Sequence, residues 1–264
     1  MSVFYRSIAS DIGSISEPLL NLLPTFVNEE PSFLYIPLTP CQRRDYIVLV
    51  LTPCQRRNTM IKGTPELISQ RREEIINACE RLYQTMSFRD ITIKEISRET
   101  SFSRPTIYNY FETKEEIFLA LYQREYERWV EDLEGILNGH KSLTKKKLAE
   151  EIAHSIEKRA QLLKLLAMNN YDMESNSRTE LLVSFKAAYG ASVDTFREIL
   201  KKYCPEIKQA ERERIVYCFF PFMFGLYPYT SVTDKQKQAM KEAGLNFRYQ
   251  TVYELTCIFL MRLL

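Results

Sequence analysis

Residues Ile91 to Leu121 read ITIKEISRETSFSRPTIYNYFETKEEIFLAL. Three helix starts are written into this stretch. Thr92 with Glu95, and Thr113 with Glu116, have the spacing of capping boxes, in which each side chain satisfies an orphan amide at the helix start. Between them Ser103 stands as an N-cap. Pro105 falls in the first turn, where a missing N–H costs nothing. The spacing predicts one helix from Thr92 to near Thr100 and a short one over 103–110. A third opens at Thr113 and runs through Phe118, Leu121, Tyr122 and Trp129 to about Leu137. Two short helices joined by Thr100–Phe102 describe a helix-turn-helix. Such a unit offers the N-terminal part of its second helix to the major groove of DNA. Short helix pairs also occur as plain packing in helical proteins, so the residue types have to decide.

Upstream, Ile68, Ile75, Ile76, Cys79, Leu82 and Tyr83 fall on one stripe of a helix over about Pro65 to Met86. Downstream, helices are expected near 144–170, 176–203, 206–227, 233–244 and 247–263. The whole chain has 264 residues, 45% hydrophobic and 27% charged, with only 7 glycines. Abundant Leu, Glu, Lys and Ile with few glycines favours an all-α protein. No G-x-G-x-x-G or G-x-x-x-x-G-K run is present, so phosphate-cradling enzyme folds are disfavoured. The formal net charge is only +2, and any basic patch must be local.

Six cysteines (Cys41, Cys54, Cys79, Cys204, Cys218 and Cys257) form no C-x-x-C pair and fit no zinc module. Reduced thiols, no metal and a cytoplasmic location are expected. His140 and His154 read as solvated surface. No apolar run approaches the roughly 18 residues of a membrane span, and no signal peptide is evident.

The markers Thr106-Ile107-Tyr108-Asn109-Tyr110-Phe111 and Lys114-Glu115-Glu116-Ile117 resemble the signature of the tetracycline-repressor (TetR) family of bacterial transcription regulators. Thr92, Ile93 and Ile96 are similar to the family's preceding T-[VI]-x-x-I. The likeness covers roughly residues 66–125. It departs at the turn, where Ser101-Phe102-Ser103 stands in place of the frequent Ala-Gly-Val-Ser. The segment Phe220 to Tyr229 with Lys237-Gln238-Ala239-Met240 is similar to a subgroup from low-GC Gram-positive bacteria. The resemblance implies a three-helix DNA-binding domain over 60–115. It also implies a helical ligand-binding and dimerisation domain over 116–264, no cofactor and no catalytic residues. The implied protein is a homodimeric repressor of a palindromic operator. A relative without a small-molecule ligand, in an architectural or cell-division role, is the alternative; a helical interaction module that has lost DNA binding is another.

By the same resemblance, Tyr108, Tyr110 and Lys114 reach DNA phosphates. The chemistry of base edges assigns further residues. Arg104 suits guanine, Asn109 suits adenine, and the apolar faces of Pro105 and Thr106 suit a thymine methyl. Ser103 opens this helix, Thr92 adds a hydroxyl or amide contact, and Lys94 reaches the groove's edge. Each has a rival: Tyr108 as packing between helices, Lys114 as a solvated partner of Glu116, Arg104 and Asn109 as ordinary surface. Ile107 and Phe111 read as core. In the C-terminal half, Met168, Tyr189, Phe196, Phe219, Phe222, Met223 and Tyr227 either line an apolar cavity for a small apolar or amphipathic effector or pack as core. Val252, Leu255, Phe259 and Leu263 form a stripe that, with the 206–227 helix, is expected to make the dimer interface.

Residues 1–59 hold six of the 11 prolines and no sustained helical period. They are expected not to form a domain, with a true start at Met60. Leu-Thr-Pro-Cys-Gln-Arg-Arg occurs identically at 38–44 and 51–57. Codons TTG-ACA-CCN-TGT-CAA are permitted for Leu-Thr-Pro-Cys-Gln. They form an inverted repeat of fifteen base pairs, recurring 39 base pairs on, a size two reading heads could share. The rival is an arm whose paired arginines track phosphates.

Overall fold

A computed structural model describes residues 64–168 and 170–264. The expectations for residues 1–59, including the repeat and Met60, lie outside the described residues. The described chain is all helical: α1 (Pro65–Thr85), α2 (Ile93–Arg98), α3 (Arg104–Ile107), α4 (Lys114–Gly139), α5 (Lys145–Glu157), α6 (Ala160–Leu166), α7 (Asn170–Ser175), α8 (Thr179–Tyr203), α9 (Gln209–Thr230), α10 (Asp234–Glu242) and α11 (Val252–Leu263). An N-terminal head of α1 to α3 is carried on the long α4, which packs along α8 inside the helical body.

The caps fix where these helices start. Thr64, Thr92, Thr113, Thr144, Thr233 and Thr251 each accept an amide of the first turn through the side chain. The full reciprocal box forms at Thr233–Gln236 and Thr251–Glu254. The two expected boxes form only halfway. Glu95 turns to the Thr92 hydroxyl and to Arg98. Glu116 accepts from the Glu112 amide at 2.7 Å, one residue before the cap, because it is also held by Arg178. Ser103 makes no side-chain cap bond; its hydroxyl pairs with that of Thr106 at 3.0 Å.

One expected helix divides. The 144–170 segment breaks at Arg159, whose backbone leaves the helical region (φ −102, ψ 46). Its guanidinium reaches across to Asp132 at 2.7 Å and to the Arg128 carbonyl at 2.9 Å, drawing the chain toward α4.

A continuous apolar core runs through head and body, from Ile75, Cys79, Ile96, Ile107 and Phe111 to Phe118, Trp129, Phe196, Phe219 and Met223. The C-terminal stripe is half-buried: Val252, Leu255, Phe259 and Leu263 pack against this core. Phe259 stacks on Phe222 with ring centroids 4.0 Å apart. The outward side of α11 is Ile258 and Met261. The free thiols among the described residues are Cys79, Cys204, Cys218 and Cys257. Burial pushes the Cys79 thiol well up, so it stays protonated and unreactive. Among the described residues no single helix is long and apolar enough to cross a membrane.

Candidate nucleic-acid interface

The turn between α2 and α3 is made without glycine. The Thr100 hydroxyl accepts the Phe102 amide at 3.3 Å. The Ser101 amide donates to the Glu74 carboxylate of α1 at 2.7 Å. Phe102 tucks against the core, with the Arg71 guanidinium 5.8 Å over its ring. The first helix therefore sets the angle of the other two.

The α-helical part of the reading segment is four residues long. It continues as a tighter turn, with Asn109 donating to Thr106 at 3.1 Å and Tyr110 to Ile107 at 2.9 Å. Ile107 and Phe111 are buried beneath it, as expected. Above them Ser103, Arg104, Pro105, Tyr108 and Asn109 are exposed, as are Thr92 and Lys94 of the neighbouring start of α2. Tyr108 keeps 53% of its surface in water, which argues against its reading as packing. Thr106 is half-buried.

Two expected contacts are placed differently. Tyr110 is only 2% exposed, and its hydroxyl accepts from Arg71 at 3.1 Å. It is a strut under the reading segment, because it lies three residues after Ile107 and one before Phe111, on the face the segment buries. Lys114 is half-buried. Its ammonium donates to the carbonyls of Phe88 at 2.9 Å and Ile91 at 3.3 Å and sits 4.2 Å from the centre of the Phe88 ring. It closes the loop entering α2, a structural duty the sequence did not show.

The sequence reading also missed the clamp behind the reading segment. Glu116 is 1% exposed. Its carboxylate accepts from Arg178 three times: the backbone amide at 3.1 Å, Nε at 2.7 Å and Nη2 at 2.8 Å. Arg178 Nη2 also donates to the Tyr110 carbonyl at 3.2 Å, which Arg72 shares at 3.4 Å. The Thr113 hydroxyl donates to the Asn176 carbonyl at 3.0 Å. Burial pushes the Glu116 carboxyl up. The hydrogen bonds from Arg178 and the Glu112 amide, with the Arg178 charge, outweigh burial and hold it below the usual carboxylate value. The start of α8, deep in the body sequence, is thus fastened to the end of the reading segment.

Further ties hold head to body. Arg124 of α4 bonds Glu80 of α1 at 2.6 Å, and Arg128 bonds the same carboxylate at 2.7 Å. The Tyr83 hydroxyl donates to the Lys164 carbonyl at 3.2 Å and to Met168 Sδ at 3.0 Å. Met168 is therefore a head-to-body contact.

Six of the seven expected pocket residues lie outside the groove between α8 and α9. Phe196, Phe219 and Met223 are fully buried, and Phe196 stacks on Phe219 at 4.6 Å. Phe222 is taken by Phe259, and Tyr227 packs against the core. Only Tyr189 of the seven lines the groove between α8 and α9. That groove has about 330 Å³ and is walled by Val193, Val216, Phe220 and Pro221, with Asp194 and Arg197 among its lining.

A short exposed reading segment on a three-helix head, clamped to a helical body, is the architecture of a helix-turn-helix regulator. Comparison with known sequences agrees. Residues 75–121 match the pattern of "Bacterial regulatory proteins, tetR family", and residues 123–256 match "Tetracyclin repressor-like, C-terminal domain". The chain belongs to the tetracycline-repressor family of bacterial regulatory proteins. A curated relative, the HTH-type transcriptional regulator HbdR of Aromatoleum sp. (strain CIB), is 37% identical over 76 residues, 26% of this chain and 33% of that protein. The chain thus matches about a third of that relative's length. A TetR-family regulator from Mesorhizobium loti has the same fold at 13% identity, with 76% of this chain and 97% of that one superposed and a TM-score of 0.50. The regulator FadR of Bacillus subtilis, solved with stearoyl-CoA, aligns over 72% of this chain and 96% of its own at 19% identity and a TM-score of 0.48.

Proposed function

We propose that the protein is a homodimeric repressor that reads a palindromic operator with the exposed residues of α2 and α3. The observation that carries this reading is the exposure of Thr92, Lys94, Arg104, Pro105, Tyr108 and Asn109 over a buried Ile107–Phe111 base. Among the described residues, Arg104 and Asn109 enter the hydrogen bonds of the turn through their backbones. Two such heads related by a twofold axis fit an operator with two half-sites. Phosphate contact falls to Tyr108 and Lys94, and to Lys114 once it yields its carbonyls.

The groove between α8 and α9 supports a small apolar or amphipathic effector. Its volume lies at the lower end of ordinary ligand sites, and its walls are aromatic and aliphatic with two charged residues. Such a ligand would bear on α8, whose N-cap Arg178 holds the clamp to α4. The repeated segments 38–42 and 51–55 support autoregulation, as two operators preceding Met60.

Footprinting on the gene's own upstream DNA tests the whole reading. Protection of both repeats, lost at either one when its TTGACA is mutated, is the expected result. Binding that ignores sequence altogether would leave a nonspecific helical protein. A chain starting at Met60 should bind as well as the full one; a large loss would favour the arginine arm.

A further inference from the structure

From Thr233 to Tyr249 no residue is buried, and only Met240 is even half-covered. Within this stretch α10 is a nine-residue helix with a complete capping box and no buried side chain. Isolated helices of that length are marginal in water, and a cap does not replace a packed face. The arm that follows turns at Gly244 (φ 70), the left-handed conformation glycine adopts without strain. It then places Leu245, Phe247 and Tyr249 at alternate positions. Phe247 and Tyr249 fall on one side of it and give the arm an apolar edge. Phe247 and Tyr249 meet edge to face at 5.3 Å, and the Tyr249 hydroxyl reaches Met240 Sδ at 3.7 Å. The arm thus coheres with α10 while both stand clear of the body.

The helix just before it has the matching deficit. Residues 215–229 of α9, IVYCFFPFMFGLYPY from Ile215, contain no charged side chain. A helix apolar all round is ordinarily buried all round. Here Tyr217, Cys218, Pro221, Phe224, Pro228 and Tyr229 lie exposed, with Tyr217 and Pro221 also lining the groove between α8 and α9. Tyr217 is 73% and Tyr229 62% in water. Together with Leu245, Phe247 and Tyr249, these aromatic side chains leave roughly 650 Å² open. That is most of the about 800 Å² per partner that a stable interface covers.

We propose that α10 and the arm Ala243–Gln250 grip a second copy of this chain, each arm covering the partner's uncharged α9 face. The inference rests on the dimer reading and adds to it the element that locks the pair. A second copy is favoured over an unrelated partner because both apolar surfaces belong to one chain, adjoin in sequence, and together approach the area that self-association needs.

Sedimentation equilibrium with three proteins tests it. The full chain should be a dimer. The variant Leu245→Ser/Phe247→Ser/Tyr249→Ser should dissociate on the order of 100-fold more readily, while melting as a folded protein, since those side chains touch no core. Tyr217→Asp/Phe224→Asp should be monomeric, and in it the amides of 235–242 should lose the slow hydrogen exchange they show in the dimer. A dimeric parent with unchanged dissociation in the arm variant overturns the arm and leaves the dimer standing. Slow exchange of α10 in the monomeric variant also overturns it, by showing that the helix is covered from within its own chain. A monomeric parent at all concentrations removes the dimer reading itself.

Discussion

Glu116→Ala is the most informative single change in the protein. It deletes the acceptor of three Arg178 donations and of the Glu112 amide. Removing one partner of a buried ion pair costs about 3–5 kcal/mol. The Arg178 side chain is about a third exposed and can recover some water, so the cost falls at the lower end, about 3 kcal/mol. For a body of this size that lowers the melting temperature by roughly 6–12 °C. Glu116→Gln keeps the shape and part of the hydrogen bonding but not the charge, and should lie between. The pH dependence adds a sign. The folded carboxyl titrates below its unfolded value, so the charge contribution is fully present above about pH 4.3 and is lost as pH falls through the folded pKa. The gap in stability between parent and Glu116→Gln should be flat from about pH 5 to 8 and close in acid. Circular-dichroism melts from neutral pH down into acid, below about pH 4, measure both effects. Melting of Glu116→Ala within about 2 °C of the parent at pH 7 would show that the clamp does not hold the head.

Five other changes separate reading from support. Tyr108→Phe should weaken binding to all DNA sequences while leaving the salt slope in place, since the lost hydroxyl is uncharged, and should not lower the melting temperature, because the side chain is exposed. Lys114→Ala should weaken binding, flatten its salt dependence and lose about 1–2 kcal/mol of stability as the Phe88 and Ile91 carbonyls lose their charged donor; parallel melts and salt titrations distinguish them. Arg104→Ala and Asn109→Ala should relax base preference by about 1–3 kcal/mol per lost bidentate contact, read by binding to operator variants, with stability unchanged. Phe111→Ala should cost about 3–5 kcal/mol and unfold the head, seen as lost cooperativity in denaturant.

The fold was legible where its cause is local. Threonine caps at 92 and 113, Pro105 in a first turn, and the Ile75–Tyr83 stripe are decided by neighbours within four residues, and the helices begin where these place them. What escaped depends on distant partners. Glu116 looks like a capping residue until Arg178, sixty-two positions on, takes its carboxylate. Tyr110 reads as a polar tip, yet it lies three residues after Ile107 on the buried face, where its hydroxyl meets Arg71 of α1. The α11 stripe was visible, but a stripe says only that one side is covered. That α5 and α9 pack against it is a fact of topology. The aromatic richness of α8 and α9 likewise did not reveal which rings stack on each other and which edge a groove.

The glycine-free turn has a consequence for portability. In many helix-turn-helix units a positive-φ glycine lets the two short helices find their angle alone. Here that angle is held from outside, by the Glu74 carboxylate on the Ser101 amide and by Arg71 over Phe102. The smallest transferable reading unit is therefore not 92–110 but the span that begins with α1. Grafting α2 and α3 onto another three-helix scaffold would carry the letters of its specificity without the ruler that spaces them, unless a carboxylate and a guanidinium went with them at the corresponding places.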